Sequence, residues 1–217
     1  MKINQSGRSM IEMLGVLAII GVLSVGGIAG YSKAMNKYRI NKITDQVSMI
    51  AANIRTLYAM QRDYTGLDTN AAANTGAIPD EMITSTVSTD GTTTNATLAN
   101  PYNGSVFVHS AALNGETANP KAFMIIYNGL PREACVSIAS NDWGEPVAIR
   151  AASSAIGAET FDDATNMKIG CAGTAAAAAG TVACPNGGTT AVPMPVATAS
   201  TACACTTNAC SIAWKYY

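Results

Sequence analysis

A single histidine stands in 217 residues, and charged residues make up only 12% of the chain. A nucleophilic dyad or triad built on imidazole would have to use His109, which lies in an apolar, β-branched stretch with no motif around it. No Walker loop, G-x-G-x-x-G pattern or H-E-x-x-H helix occurs, so phosphate, dinucleotide and zinc-hydrolase chemistry lack sequence support. Net charge is −1, and setting aside a short leader with Lys2 leaves 12 basic against 14 acidic residues, or −2. That balance gives no electrostatic case for nucleic acid. Glu159, Asp162 and Asp163 form an acidic group that reads as a solvated turn. The chain reads as a non-enzyme, with no cofactor and no metal expected.

Cysteine is absent from the first 134 positions and then occurs six times, at Cys135, Cys171, Cys184, Cys203, Cys205 and Cys210. An even number, all beyond the apolar N-terminal region, points to disulfides in an oxidising compartment. The lone histidine and the lack of a C-x-x-C pair argue against structural zinc. Spacing alone selects no pairing. Cys171–Cys184 would close a short loop, whereas a bridge from Cys203 to Cys205 would be strained.

Proline and charge are both missing from the longest apolar run. Met13 to Tyr31 carries no charge and is rich in Leu, Ile, Val and Ala, long enough to cross a bilayer as a helix. It outruns the apolar core of an ordinary secretory signal peptide, and no A-x-A site follows it. Glu12 stands at the start of this run. An ionisable group there is costly, about 2.5–3.5 kcal/mol near a helix centre, unless something neutralises it. The span also holds five glycines, at 15, 21, 26, 27 and 30, which weaken a helix but let neighbouring helices approach closely. Gly26-Gly27 is the expected weak point.

Past Tyr31 the pattern becomes amphipathic. Ile40, Ile43, Val47, Ile50, Ile54 and Leu57 step by threes and fours along one helix face. Asn41, Lys42, Asp45, Gln46, Ser48, Asn53 and Arg55 fall opposite. A helix from about Ser9 to Gln61 would be roughly 80 Å long. Lys33, Lys37, Arg39 and Lys42 form the one basic cluster, which reads first as a solvated face.

Residues 65–100 are crowded with Thr, Asn, Ser, Ala and Gly and read as a surface loop. Asn100-Pro-Tyr-Asn-Gly104 is a turn signal. Strands are expected at 105–111, 121–127 and 145–152, the first two as an antiparallel pair, with a short helix over 129–139. The low-complexity stretches at 175–179 and 189–199 need not pack a core and are expected to face outward. Ser211 to Tyr217 alternates, with Ile212, Trp214 and Tyr216 on one face, as a half-buried strand does.

A short basic leader, a glycine at position 7 and an apolar helix with Glu at its fifth place resemble the type III signal of type IV pilins and pseudopilins. The NPYNG turn, the two strands ending near IIYNGLP and the following Cys-bearing helix are similar to the heads of type IVb pilins, particularly major pilins of conjugative thin pili. This resemblance is strong over the first 60 residues, moderate over about 100–140 and thin beyond. It implies an α+β fold: a long N-terminal helix packed on a mainly antiparallel sheet, the pilin ladle. The expected divisions are a leader (1–7), a transmembrane and filament-core helix (8–31), an amphipathic half (32–64) and a disulfide-bonded globular head (65–217) with an αβ-loop.

The resemblance further implies cleavage between Gly7 and Arg8 by a membrane prepilin peptidase, and methylation of the new amine of Arg8. Most relatives have Phe where this chain has Arg8. Glu12 would neutralise the terminal ammonium of a neighbouring subunit during assembly. Pilins hold their C-terminal segment by a disulfide, which here implies Cys135 to Cys210; Cys171, Cys184, Cys203 and Cys205 remain as further candidates. The implied partners are other copies of the chain, the inner membrane before assembly, and the pilus machinery. The implied destination is an extracellular pilus. Two alternatives remain: a pseudopilin or minor pilin of a secretion or DNA-uptake system, and a monomeric membrane-anchored binding domain.

Overall fold

A computed structural model describes residues 10–85, 96–112, 120–144, 147–157, 167, 172–174, 193–206 and 208–217. Helix α1 runs Met10–Tyr58 without interruption, matching the proline-free pattern, and it is helical through Gly26-Gly27. The chain divides into two compact units, one ending at Arg39 and one spanning Ile40–Tyr217. The second unit holds α2 (Thr69–Asn74), a 3-10 turn (Asp80–Met82), β1 (Ile83–Ser85), β2 (Thr97–Ala99), β3 (Ser105–Ala111) and β4 (Ala122–Leu130). It continues with α3 (Arg132–Ala139), β5 (Val147–Ala152), β6 (Ala172–Thr174), α4 (Val196–Ala202) and β7 (Cys210–Tyr216).

The seven strands form one sheet in the order β1-β2-β3-β4-β7-β5-β6. All neighbours are antiparallel except β5 and β6. The C-terminal strand therefore inserts between β4 and β5, the last to arrive in sequence and central in the sheet. A long loop-closure distance separates it from its partners, which is the usual entropic cost of non-local pairing.

One face of the sheet receives the apolar stripe of α1. Ile43, Val47, Ile50 and Ile54 are fully buried against Val106, Val108, Phe123, Ile125, Tyr127, Ile212 and Trp214. Burying four such side chains fully is worth about 1.5–3 kcal/mol each before entropy is counted. Two details depart from the stripe read in the sequence. Leu57 is exposed, and Gln46, placed on the polar side by its spacing, is buried. Gln46 survives burial because its amide donates to Glu81 Oε1 at 2.8 Å while Lys42 Nζ reaches Glu81 Oε2 at 2.8 Å. A buried polar group with a charged acceptor costs far less than an orphaned one.

The opposite face is also covered, which corrects the half-buried reading of the last strand. Every residue of β7 is buried. Ala213 packs with Met124, Ile126, Ala148, Ile156 and Met167, and Lys215 Nζ donates to Met167 O at 3.0 Å. Alternation in β7 distinguishes two buried faces, not a buried and a wet one. Lys215 is tolerated there because the chain crossing that face presents an acceptor.

The stretch read as a surface loop carries a short helix, a 3-10 turn and two short strands. Asp68 caps α2 through a 2.6 Å acceptance from Ala71 N–H, an N-cap arrangement that satisfies one orphan amide. Tyr127 hydroxyl meets Met82 Sδ at 3.8 Å beneath the 3-10 turn. A second correction concerns residues 193–199, expected to face outward. Pro195 opens α4, and Met194, Ala199 and Ala202 are buried against the core around α3. Small alanines let two short helices approach where larger side chains would not.

The NPYNG turn forms as expected. Asn103 takes the positive φ of 61°, and Asn100 Oδ1 accepts from the amides of Tyr102 and Gly104. Gly104 is required by proximity: a Cβ there would collide with the carbonyl of Asn128. Gly129, at φ 72°, marks the register shift between Tyr127 and Leu130 in the β4–β7 pairing, a bulge position that suits glycine.

Candidate functional site

Two groups of residues from the sequence reading can be placed: the start of α1 and the cysteine cluster. Gly7 and Arg8 lie outside the described residues, as do Cys171, Cys184 and the acidic trio Glu159, Asp162 and Asp163. Glu12 sits in the first turn of α1, the end of a helix where a carboxylate is favoured by the unsatisfied amides. It is the only ionisable side chain from Met10 to Tyr31 other than the tyrosine itself.

Around it the helix offers only apolar surface. An 18-residue window has a mean hydropathy of 2.2, and none of that window is buried. Ile11, Leu17, Val22, Leu23 and Val25 are each about two-thirds exposed or more. Two hydroxyls on this surface are satisfied within the helix: Ser24 Oγ donates to Ile20 O at 2.7 Å, and Ser32 Oγ to Ile28 O at 3.0 Å. Hydroxyls that bond back into their own helix leave no donor in need of water. Gly15, Gly21, Gly26, Gly27 and Gly30 have nothing near the place a Cβ would occupy, so none of the described residues uses their smallness. A second helix can.

Of the basic cluster, Lys33, Lys37 and Arg39 are exposed at the end of the first unit. Lys42 belongs to the second unit and pairs with Glu81. That contact, with Gln46, holds the carboxyl of Glu81 below the ordinary glutamate range. Sequence spacing gave no sign of Glu81, because its partners lie 35 and 39 residues away.

The cysteines correct the pairing drawn from resemblance. Cys135, buried on α3, bridges Cys203 at the C-cap of α4, and Cys205 bridges Cys210 at the start of β7. The expected Cys135–Cys210 bond is absent. The reason is spatial: Sγ atoms of Cys135, Cys203 and Cys210 all lie within 4.8 Å of one another, so either partner was within reach of Cys135. As disulfides these sulfurs offer no thiolates to a metal. One bridge joins α3 to the end of α4 and the other ties the central strand to the turn before it, and Trp143 stacks edge-on to Trp214 at 5.0 Å.

His109 keeps a structural role. Its Nδ1 lies 2.9 Å from Ser110 O, and it is aligned with Met124 on β4; no nucleophile is paired with it among the described residues. A line of rings, Tyr58, Tyr64, Phe123 and Tyr216, links the end of α1 to β4 and β7 at centroid spacings of 5.3, 4.9 and 5.5 Å. Arg55 lies over the Tyr216 ring at 5.2 Å and donates to Tyr217 O at 3.1 Å. These contacts anchor the C-terminal strand on the helix; they do not form a reaction site.

An exposed apolar helix with one carboxylate at its start, continuous in sequence with a disulfide-bonded α+β head, is long and apolar enough to cross a membrane and is compatible with anchoring there. The Bundlin family model matches residues 32–184. The chain belongs to the Bundlin family. It is 31% identical over 140 residues to the major structural subunit of bundle-forming pilus from Escherichia coli O127:H6, covering 64% of this chain and 66% of that one. It is 28% identical over 142 residues to the toxin coregulated pilin of Vibrio cholerae, covering 63% and 58% respectively. The chain thus spans about two thirds or less of these relatives' length. The fold matches that of TcpA, a type IV pilin from the Vibrio cholerae El Tor biotype, with a TM-score of 0.51 at 15% identity, over 83% of this chain and 99% of that one.

Proposed function

We propose that this chain is a pilin, cleaved after Gly7 and polymerised through its N-terminal helix into a type IV pilus filament. The carrying observation is the wholly exposed apolar surface of Met10–Tyr31 with Glu12 as its single charged group. Such a surface has two stable environments: a bilayer, and a bundle of like helices. The subunit waits in the inner membrane and ends in the extracellular fibre, serving adhesion, aggregation or conjugative contact. In the bundle Glu12 meets the new terminal ammonium of a neighbour, freed when prepilin peptidase cuts the leader. Two opposite charges are tolerable together in an apolar setting and costly apart. The pilus assembly machinery supplies the work of extraction.

Membership of the Bundlin family supports this reading over the secretion pseudopilin, and the printed names of the matched relatives are those of pilus subunits. The test is Glu12→Ala in cells: membrane insertion and leader removal are expected to persist while sheared filament falls more than tenfold. Wild-type filament yield from that variant would overturn the assembly role of Glu12.

A further inference from the structure

Four of the six cysteines form two bridges that are neighbours, not independent locks. Cys135, Cys203 and Cys210 are fully buried, whereas Cys205 is partly exposed. The sulfur of Cys210 lies 3.4 Å from the carbonyl of Cys203, and the three buried sulfurs share a space 4.8 Å across. A thiolate released at any one of them would have a disulfide sulfur within reach without movement of the backbone elements that carry them.

We propose that the two bridges form one exchangeable network entered at Cys205, and that Cys135–Cys210 is its second, interconverting pairing. Accessibility selects the entry, since exchange depends on which sulfur an incoming thiolate can reach. A small monothiol such as glutathione, as thiolate, attacks Cys205 Sγ; the Cys205–Cys210 bond breaks and Cys210 leaves as thiolate with the bonding pair. Cys210 attacks Cys135 Sγ, forming Cys135–Cys210 and expelling Cys203 as a thiolate, which takes a proton from solvent. A second equivalent of the monothiol resolves the mixed disulfide on Cys205, yielding oxidised glutathione and the Cys205 thiol. Each internal step breaks one S–S bond and makes one. Two glutathiones are oxidised for the one protein disulfide that is lost.

The consequence is a change of anchor. In the structure α3 is tied to the end of α4, and the central strand is tied only to its own preceding turn, five residues back. After exchange α3 holds the central strand directly and the turn from 203 to 206 is released. The head therefore keeps a covalent tie to α3 in either state, which suits a subunit that folds while thiol exchange is still in progress.

The full-length protein in detergent, treated with graded reduced glutathione, acid-quenched and labelled with N-ethylmaleimide, distinguishes the outcomes by peptide mapping. The expected two-thiol species carries label on Cys203 and Cys205 with Cys135–Cys210 bonded. Label confined to Cys205 and Cys210, first opening of Cys135–Cys203, or loss of both bridges with no two-thiol species would each overturn the proposal. A second variant, Cys205→Ser oxidised in air, is expected to give a mixture with Cys203 free in some molecules and Cys210 free in others. Cys210 free in every molecule would overturn it as well.

Discussion

The two parts of α1 are built from similar residues and put to opposite uses. From Met10 to Arg39 isoleucines, leucines and valines point into open space. From Ile40 to Tyr58 the same residue types are spaced in threes and fours and disappear into the sheet. The difference is in what lies between them. In the first part, as far as Tyr31, Gly, Ala and Ser fill the gaps, so beyond Glu12 the helix there carries no charge and no face is polar enough to prefer water. In the second, Asn, Lys, Asp and Arg occupy the gaps, and a single stripe remains to be covered. Hydrophobicity makes both parts sticky; patterning decides whether the partner is the same chain or another body.

Substitutions can break or sharpen this contrast. The largest effect on the head alone is expected from replacing Cys135 and Cys203 together by Ser. Their bridge spans 68 residues, and removing it is expected to cost about 4 kcal/mol in the chain-entropy picture. Replacing Cys205 and Cys210 by Ser, with a separation of five, is expected to cost about 2 kcal/mol. Denaturant melts of the detergent-solubilised chain measure both, and filament-core packing should not enter either value.

The direct comparison pairs Ile50→Ala with Leu23→Ala. Ile50 is fully buried and its truncation leaves a cavity, so the head is expected to lose about 3 kcal/mol and to melt roughly 6–12 °C lower. Leu23 is exposed, and its truncation is expected to move head stability by less than about 0.5 kcal/mol while lowering filament yield. Equal melting shifts from the two would mean that the first part of α1 is already packed within the monomer.

A small, pH-dependent effect concerns Glu81. Its carboxyl is held low by hydrogen bonds from Lys42 and Gln46, so its contribution to stability is complete above the unfolded-state value, about 4.3. That contribution is lost as pH falls through the lower folded value. Because the pair is substantially exposed, the loss is expected to stay under about 1 kcal/mol. Melts between neutral pH and the acid range should show this slope in the native chain, and Glu81→Gln should flatten it.

Much of the fold was legible in the residues. The stripe at Ile43, Val47, Ile50 and Ile54, the strand at 105–111, most of the strand read at 121–127 and found at 122–130, and the helix bearing Cys135, read from 129 and found from 132, follow from local periodicity and turn chemistry. What escaped was set by non-local geometry. Gln46 reads as surface until Glu81 is brought beside it. Ile212 and Trp214 announce one buried face of β7, but only the returning chain at Ile156 and Met167 reveals the other. The cap at Asp68 was visible as an Asp-Thr-Asn start and could have given α2. Pro195 before an Ala-rich run could likewise have given α4. The disulfide pairing was beyond reach of spacing, because three sulfurs share one pocket and a few ångströms select among them.

The most direct measurement is the intact mass of the protein in material sheared from cell surfaces, taken with and without reduction. A mass beginning at Arg8, with or without one methyl group, is expected, together with a gain on reduction of at least two hydrogens for each of the two bridges. The full-length chain found only in membranes, with Met1 and the leader retained, would contradict assembly into a filament and leave an anchored single domain.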